Sequence, residues 1–162
     1  MNSALVVGEG LLGCALIDAL AEQGIAVIGT SRDALSSKLY VDLTKPIPLL
    51  PQVDTCFMCG AIASYRKCEG SQEAWVTNAD SAVSITRQCI ERDIFPVFVS
   101  SDSIEFMSNA YTRMKSYAES CIIPMGGAVV RPSRFTAENV GSRCHLMIRV
   151  GLDRKPGVHR WA

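Results

Sequence analysis

The fold is decided by the stretch Ala4-Leu5-Val6-Val7-Gly8-Glu9-Gly10-Leu11-Leu12-Gly13 near the start of the chain. Four consecutive apolar residues predict a parallel strand that is buried on both faces. Glycines follow at positions 8, 10 and 13, and apolar residues then recur with a helical period until Gly24 ends the helix. A strand, a Gly-x-Gly-x-x-Gly turn and a helix in this order form the opening of a βαβ unit.

Further strands and helices alternate along the rest of the chain. Strands are predicted at 25–28, 39–41, 54–59, 96–99 and 127–130, and helices at 71–92, 111–120 and 138–152. The alternation predicts an α/β fold, a Rossmann-type doubly wound parallel sheet in three α/β/α layers. A length of 162 residues without a linker or a repeat predicts one domain, spanning residues 1–162.

Composition excludes several classes of protein. Sixteen basic and sixteen acidic side chains give a net charge of zero, which argues against a nucleic-acid binder or a polybasic membrane binder. No apolar run approaches the roughly 18–20 residues that span a bilayer, and the N-terminus lacks the basic start of an export signal. Seven cysteines at irregular spacing then predict free thiols and a cytoplasmic protein. Cys56 and Cys59 form a Cys-x-x-Cys, but a strand directs them to opposite faces, so we expect no metal site.

Charge is distributed unevenly along the chain. Residues 131–162 carry seven basic side chains and two acidic ones, so this segment has a net charge of +5 and residues 1–130 carry −5. One interpretation is an ordinary solvated helix face. The other is a surface that faces a phosphorylated ligand or an acidic partner.

The glycine turn predicts a dinucleotide site. Gly8 allows the tight turn, Gly10 lets the backbone approach a pyrophosphate, and Gly13 lets the helix pack closely on the strand. The amide groups that open the helix, around Leu11 and Leu12, favour the phosphate charge. The alternative is a tight strand–helix turn without a ligand.

The end of the second strand favours NADP over NAD. An acidic residue at that point typically binds the ribose 2′-hydroxyl of NAD. This sequence instead reads Gly29-Thr30-Ser31-Arg32, with no acid before Asp33. Arg32, assisted by Thr30 or Ser31, is suited to bidentate binding of a 2′-phosphate. The alternative is an exposed loop arginine.

Three further residues suggest carbonyl chemistry. Tyr111 and Lys115 are four residues apart on a predicted helix and therefore share a face. A lysine ammonium there is expected to lower the pKa of the tyrosine, which can then donate a proton to a carbonyl oxygen. Ser101 follows a strand and can hydrogen-bond the same oxygen. The alternative is a surface Tyr–Lys pair beside a serine-rich loop.

The sequence resembles the extended short-chain dehydrogenase/reductases, and among them the dTDP-4-dehydrorhamnose reductase-like sugar-nucleotide reductases and epimerases. Seven segments match in order, and they are residues 8–13, 42–44, 58–61, 75–79, 99–102, 111–119 and 130–133. The resemblance implies an NADP- or NAD-dependent oxidoreductase that acts on a carbonyl or hydroxyl of a nucleotide-activated sugar or similar small molecule.

The resemblance also implies roles for individual residues. Tyr111 would be the proton donor, Lys115 would bind the nicotinamide ribose, and Ser101 would orient the substrate carbonyl. Further cofactor contacts would come from the residues beside the adenine and along the middle of the cofactor, Asp42, Leu43, Cys59, Gly60 and Ala61. Asn78 would steady the sheet near the site.

The sequence departs from this family on the substrate side. Only ten positions separate Ser101 from Tyr111, where the family usually inserts a longer loop. Residues 131–162 are expected to be a basic segment that begins a substrate region of which the rest is absent. The alternative function is therefore a non-catalytic NAD(P)-binding module or regulatory subunit. In a third arrangement, a second copy or a partner chain supplies the substrate surface.

Overall fold

A single parallel sheet forms the centre of the computed structural model, which describes residues 1–33, 38–132 and 140–160. In these ranges seven strands pair in the order β3-β2-β1-β4-β5-β6-β7, and every pairing is parallel. The strands are β1 (Ser3–Val7), β2 (Ala26–Ser31), β3 (Leu39–Tyr40), β4 (Thr55–Met58), β5 (Phe95–Val99), β6 (Ala128–Arg131) and β7 (Gly157–Arg160). The order reverses direction at β1, which creates the crevice where such sheets bind ligands.

Helices cover both faces of the sheet. The α-helices are α1 (Leu11–Glu22), α2 (Tyr65–Cys68), α3 (Gln72–Trp75), α4 (Ser81–Glu91), α5 (Ala110–Ile122) and α6 (Val140–Asp153). A π-helical turn, Val76–Asp80, joins α3 to α4, and a 3₁₀-helix, Asp102–Glu105, follows β5. The predicted three-layer α/β/α Rossmann-type architecture is confirmed.

Alternation along the central strands divides the core into two layers. Val6 and Phe57 face α1 and α6, where they pack with Leu16 and Met147. The neighbouring strand residues point to the opposite face and pack against α4 and α5. Cys56 belongs to this second layer whereas Cys59 packs against the first, so the prediction that the two thiols face opposite sides is confirmed.

Three parts of the predicted element map need comment. The second strand does not end at residue 28 but continues through Ser31, and it is half exposed. The helix predicted over 71–92 is present, but a π turn at Val76–Asp80 divides it into α3 and α4. No strand was predicted after 130, yet β7 adds to the sheet beyond β6. A strand of four residues with one glycine and two charged or polar side chains carries too little apolar pattern to be recognised.

The basic C-terminal segment takes part in the core. Cys144, Met147 and Ile148 on α6 are buried against α1 and the sheet. The described residues of 131–162 therefore extend the sheet and its helical layer, because their apolar side chains have the helical spacing that such packing requires. Among those basic residues, Arg134 lies outside the described residues, as does Ser133 of the motif at 130–133.

Candidate functional site

A cleft of about 470 Å³ opens at the carboxyl ends of β1, β2 and β4. It is lined by residues from the glycine turn, the end of β2, the segment after β3 and the segment after β4. Nine residues predicted to bind a cofactor lie in this lining, namely Gly8, Gly10, Ser31, Arg32, Asp42, Leu43, Cys59, Gly60 and Ala61. The structure therefore brings together residues that are up to about fifty positions apart in sequence, at the crevice where the strand order reverses.

Close backbone contacts require two of the three glycines in the turn. Gly8 has φ +95°, and a Cβ there would lie 2.4 Å from the Gly60 Cα. A Cβ on Gly13 would lie 1.9 Å from the Gly8 carbonyl oxygen. The turn is fixed further by the Gly8 amide, which donates to the Thr30 hydroxyl at 3.1 Å. Glycine at both positions therefore allows α1 to approach β1 and β4, as the motif predicts.

Gly10 differs from the other two because the space above its Cα is open. No atom of the described residues lies within 4 Å of the position of a Cβ there, although the residue lines the cleft. Gly10 is also the N-cap of α1, and as a glycine it supplies no side-chain cap to this helix end. The first amide groups of α1 are therefore available to an anion, which is the arrangement that binds a pyrophosphate. Leu12 and Gly13 themselves are buried, and Leu11 is exposed outside the cleft lining.

Charged and polar groups surround the end of β2. Ser31, Arg32 and Asp33 line the cleft there, and Arg32 is exposed. Across the cleft, Asp42 accepts hydrogen bonds from the Thr44 amide at 2.9 Å and the Thr44 hydroxyl at 2.8 Å. These bonds hold the pKa of Asp42 below its usual range, and the charge of Arg32 contributes in the same direction.

Glu9 is a cleft residue that the sequence analysis did not single out. Its carboxylate pairs with the Lys38 ammonium at 2.5 Å, and this pair links the glycine turn to the segment before β3. The same carboxylate lies against Gly29, where a Cβ would be 2.3 Å from the Glu9 Oε1. The sequence feature that could have indicated Glu9 as a site residue is its position between the two glycines of the turn. Thr77, which also lines the cleft, was visible only as part of the motif at 75–79.

Tyr111 and Ser101 interact through their side-chain hydroxyl groups, and neither residue lines the cleft. Tyr111 is the second residue of α5, and a capping box between Asn109 and Thr112 stabilises the N-terminus of this helix. Burial raises the pKa of Tyr111 to about 12, while the neighbouring Ser101 side chain acts in the opposite direction by hydrogen bonding. The expected lowering of this pKa was therefore wrong, because loss of hydration outweighs the groups that favour the phenolate.

Lys115 is buried one helical turn after Tyr111. Its ammonium donates to the Val99 carbonyl oxygen at 2.8 Å and lies 5.9 Å from the centre of the Tyr111 ring. Burial lowers the pKa of Lys115 to about 8, and Cys59 and Glu119 partly oppose this shift. Lys115 thus lies near the Tyr111 ring, as their shared helix face predicts, and also interacts electrostatically with the cleft residue Cys59.

Asn78 connects the segment after β4 to α5. Its side-chain oxygen accepts from the Ile62 amide at 2.7 Å, and its side-chain nitrogen donates to the Ile62 carbonyl at 3.0 Å. The same nitrogen contacts the sulfur atoms of Cys68 and Met114. Asn78 sits in the π turn, which rotates the helix so that its side chain reaches this loop. The residue therefore holds the backbone of the cleft residue Ile62, whereas its role in steadying the sheet stays a prediction.

Three further observations concern the described residues. No group of three or more His, Cys, Asp or Glu side chains that could hold a metal ion occurs in 1–33, 38–132 and 140–160. Within the same ranges, no helix is long and apolar enough to cross a bilayer. Burial raises the pKa of the Cys59 thiol, so this cleft residue is a neutral group at physiological pH.

Comparison with known proteins gives matches among solved structures. No protein-family model and no curated protein matches the sequence. A dTDP-4-dehydrorhamnose reductase from Clostridium acetobutylicum superposes with a TM-score of 0.81 at 15% identity, over 99% of this chain and 74% of that one. The corresponding Bacillus anthracis reductase, solved with NADP, gives 0.79 at 14% identity, over 99% and 74%. The chain has the fold of these enzymes.

A third match was solved with a sugar nucleotide bound. MoeE5, in complex with UDP-glucose and NAD, superposes with a TM-score of 0.71 at 19% identity. The match covers 80% of this chain, which spans 54% of the length of MoeE5. The resemblance inferred from the sequence motifs is therefore confirmed as a likeness in fold to sugar-nucleotide enzymes, several of which were solved with NAD or NADP.

Proposed function

We propose that this chain binds NADP or NAD in the cleft and acts as an oxidoreductase on a carbonyl or hydroxyl of a nucleotide-activated sugar. The observation that carries the proposal is the open Gly10 at the uncapped N-terminus of α1, on the same sheet edge as Ser101 and Tyr111. The Bacillus anthracis reductase of this fold was solved with NADP, and MoeE5 with UDP-glucose and NAD. These ligands support both the cofactor class and the substrate class.

Each residue has a role that its surroundings suit. The α1 amides and Gly10 bind the pyrophosphate, Cys59, Gly60 and Ala61 border its central part, and Asp42 and Leu43 flank the adenine. When bound, the dinucleotide supplies or accepts the hydride. Tyr111 holds the proton that the carbonyl oxygen receives, because burial keeps its phenol protonated at neutral pH.

Ser101 and Lys115 support this proton transfer. The Ser101 hydroxyl orients the carbonyl oxygen and favours the phenolate that Tyr111 becomes after donating its proton. The Lys115 ammonium, held by the Val99 carbonyl, favours the same phenolate through its charge and binds the ribose of the cofactor. With its pKa near 8, Lys115 is largely charged at pH 7.

The cofactor proposal is tested by thermal unfolding and by calorimetric titration. NADPH should raise the melting temperature, because a ligand that binds only the folded state stabilises it. Arg32→Ala should weaken NADPH at least about tenfold more than NADH, which lacks the 2′-phosphate. Arg87→Ala, at an exposed position of α4, is the matched control and should change neither affinity. An equal effect of Arg32→Ala on both cofactors would remove the role of Arg32.

The catalytic proposal is tested with UDP-glucose and NAD, and with a dTDP-4-keto sugar and NADPH. Tyr111→Phe should abolish turnover and leave the dissociation constant of the cofactor within about twofold. Tyr117→Phe is the matched control, since Tyr117 is an exposed tyrosine on the same helix. Turnover that survives Tyr111→Phe would exclude the tyrosine as proton donor.

A second candidate is a non-catalytic dinucleotide-binding module or regulatory subunit. It is favoured by the short substrate side of the chain, because Tyr111 follows Ser101 by only ten positions and leaves little chain for a substrate-side loop. This candidate predicts the same cofactor affinity as the first, no turnover with either sugar nucleotide, and no effect of Tyr111→Phe on any measured property except tyrosine absorbance.

A further inference from the structure

An ion-pair network of Arg131, Glu119 and Glu105 adjoins the segments that carry the proposed catalytic groups, and its members do not line the cleft. Arg131, the last residue of β6, places its Nε 2.9 Å and 3.1 Å from the two carboxylate oxygens of Glu119, and its Nη2 contacts Glu119 as well. Its Nη1 lies 3.0 Å from the Glu105 carboxylate. One guanidinium therefore holds two carboxylates from different segments at once.

The partners of Arg131 belong to the two segments that carry the catalytic groups. Glu119 is on α5, one turn after Lys115, and is 4% exposed. Glu105 ends the 3₁₀-helix whose N-cap is Ser101. Ser101 is fixed within this helix, because its hydroxyl accepts from the Ser103 amide at 3.2 Å and lies 2.7 Å from the Ser103 hydroxyl. A displacement of Glu105 would therefore displace Ser101.

We propose that Arg131 is a positioning residue, which locks the Ser101-bearing 3₁₀-helix against α5 and so fixes Ser101 opposite Tyr111. The inference rests on the proposed function, because it assigns Arg131 to the geometry of those proposed catalytic groups. The planar guanidinium suits this task, since it presents separate N–H groups to two carboxylates, whereas a lysine ammonium concentrates its donors at a single point.

The electrostatic surroundings agree with this assignment. The charge of Glu119 acts on Lys115 and raises its pKa against the larger effect of burial. Glu119 and Glu105 in turn raise the pKa of Arg131. The other groups that face Lys115 are Cys59 from the segment after β4, Cys68 from α2 and the Tyr111 ring. Pairing with Arg131 therefore keeps the charge of Glu119 in a fixed place relative to Lys115.

Three variants separate positioning from simple stabilisation. Glu105→Gln removes the carboxylate charge through which Arg131 holds the 3₁₀-helix and leaves the Arg131–Glu119 pair in place. Arg131→Lys keeps a positive charge beside Glu119 but removes the planar guanidinium that bonds both carboxylates at once. Arg131→Met removes both contacts, and Arg87→Met on α4 is the exposed-arginine control. Amide hydrogen exchange of residues 101–108 and 110–122 reports the two segments separately, and an NMR titration of the Lys115 side chain reports the charge on the α5 side.

Glu105→Gln and Arg131→Lys should both raise exchange in 101–108 about tenfold, while exchange in 110–122 and the Lys115 titration stay at wild-type values. Arg131→Met should change both segments and shift the titration; if that variant does not fold, the other two still decide. The proposal would be overturned if residues 101–108 of Glu105→Gln exchanged at the wild-type rate. It would also be overturned if Arg131→Lys matched the wild type in the exchange of both segments. Equal rises in both segments would also overturn it, because that pattern reports a general loss of stability.

The cofactor is measured separately in the same variants. Calorimetric titration with NADPH should give the wild-type dissociation constant within about twofold for Glu105→Gln, because Glu105 and Arg131 do not line the cleft. If the wild-type chain binds neither NADPH nor NADH, the proposed function fails, while the exchange pattern still judges Arg131. If the cofactor binds and exchange in 101–108 is unchanged, only the inference about Arg131 fails.

Discussion

Replacing Gly10 with alanine should weaken cofactor binding at least about tenfold and leave the folded protein nearly unchanged. Gly10 has φ −77° and ψ −171°, an extended conformation that alanine adopts without strain. In the part of the chain that the structure describes, no atom lies within 4 Å of the added Cβ, so the cofactor-free fold accepts it. The methyl group would instead occupy the space that the proposed pyrophosphate needs, against the first amide groups of α1.

The expected size of each effect follows from this geometry. Alanine is a poorer N-cap than glycine by about 0.5–1 kcal/mol, and reduced freedom of the unfolded chain offsets about 0.4–1 kcal/mol. The net change in unfolding free energy should therefore stay within about 1 kcal/mol, or roughly 2–4 °C in melting temperature for a chain of this size. Loss of close contact with the pyrophosphate should raise the dissociation constant of NADPH at least about tenfold, or about 1.4 kcal/mol.

Two other glycines serve as comparisons in the same assays, which are chemical denaturation and calorimetric titration with NADPH. Gly24 also has open space around it but has φ +73°, so Gly24→Ala should cost about 1–2 kcal/mol of stability and leave NADPH binding intact. In Gly13→Ala the added Cβ would lie 1.9 Å from the Gly8 carbonyl oxygen, so this variant should lose both its stability and its NADPH binding. The reasoning is refuted if Gly10→Ala binds NADPH as tightly as the wild type, or if it unfolds as easily as Gly13→Ala.

The remaining predictions concern Lys115, Asn78 and Gly29. The folded pKa of Lys115, near 8, lies below the value of about 10.4 for an unfolded chain, so the unfolded state binds more protons between these values. Between about pH 8 and 10, the unfolding free energy of the wild type relative to that of Lys115→Met should therefore increase by about 1.4 kcal/mol per pH unit. Curves of unfolding free energy against pH that run parallel for the two proteins would contradict this sign. Asn78→Ala should cost about 2–4 kcal/mol, because the amide and carbonyl of Ile62 lose their partner; a cost under about 0.5 kcal/mol in urea unfolding would argue against that bond. Gly29→Ala should displace the Glu9 carboxylate, which a Cβ would meet at 2.3 Å, and a crystal structure with Glu9 unmoved would disprove the steric argument.

Local patterns were sufficient to predict the βαβ framework and most of the cleft. The apolar run before Gly8 and the helical spacing after it each specify a neighbouring element, so β1, the glycine turn and α1 follow from short-range rules. The residues after β3 and β4 were found through the family resemblance. They meet the glycine turn only because parallel strands bring their carboxyl ends to one edge.

Other features depend on packing that no local pattern reveals. The π turn that directs Asn78 toward Ile62 interrupts a segment whose composition is uniformly helical. The raised pKa of Tyr111 follows from burial, which spacing to Lys115 does not report. The Arg131 network joins residues 26 and 12 positions apart, so its members were visible in the sequence only as unrelated charges.

Dinucleotide binding at the glycine turn is the property on which the proposed function depends. Calorimetric titration of the wild-type chain with NADPH and with NADH tests that binding most directly. We expect saturable 1:1 binding with a micromolar dissociation constant, typical of cofactor affinities near about −8 kcal/mol, and tighter binding of NADPH because of Arg32. Absence of saturable heat with either cofactor at 1 mM, a concentration at which about −4 kcal/mol of binding would be visible, would contradict the central claim.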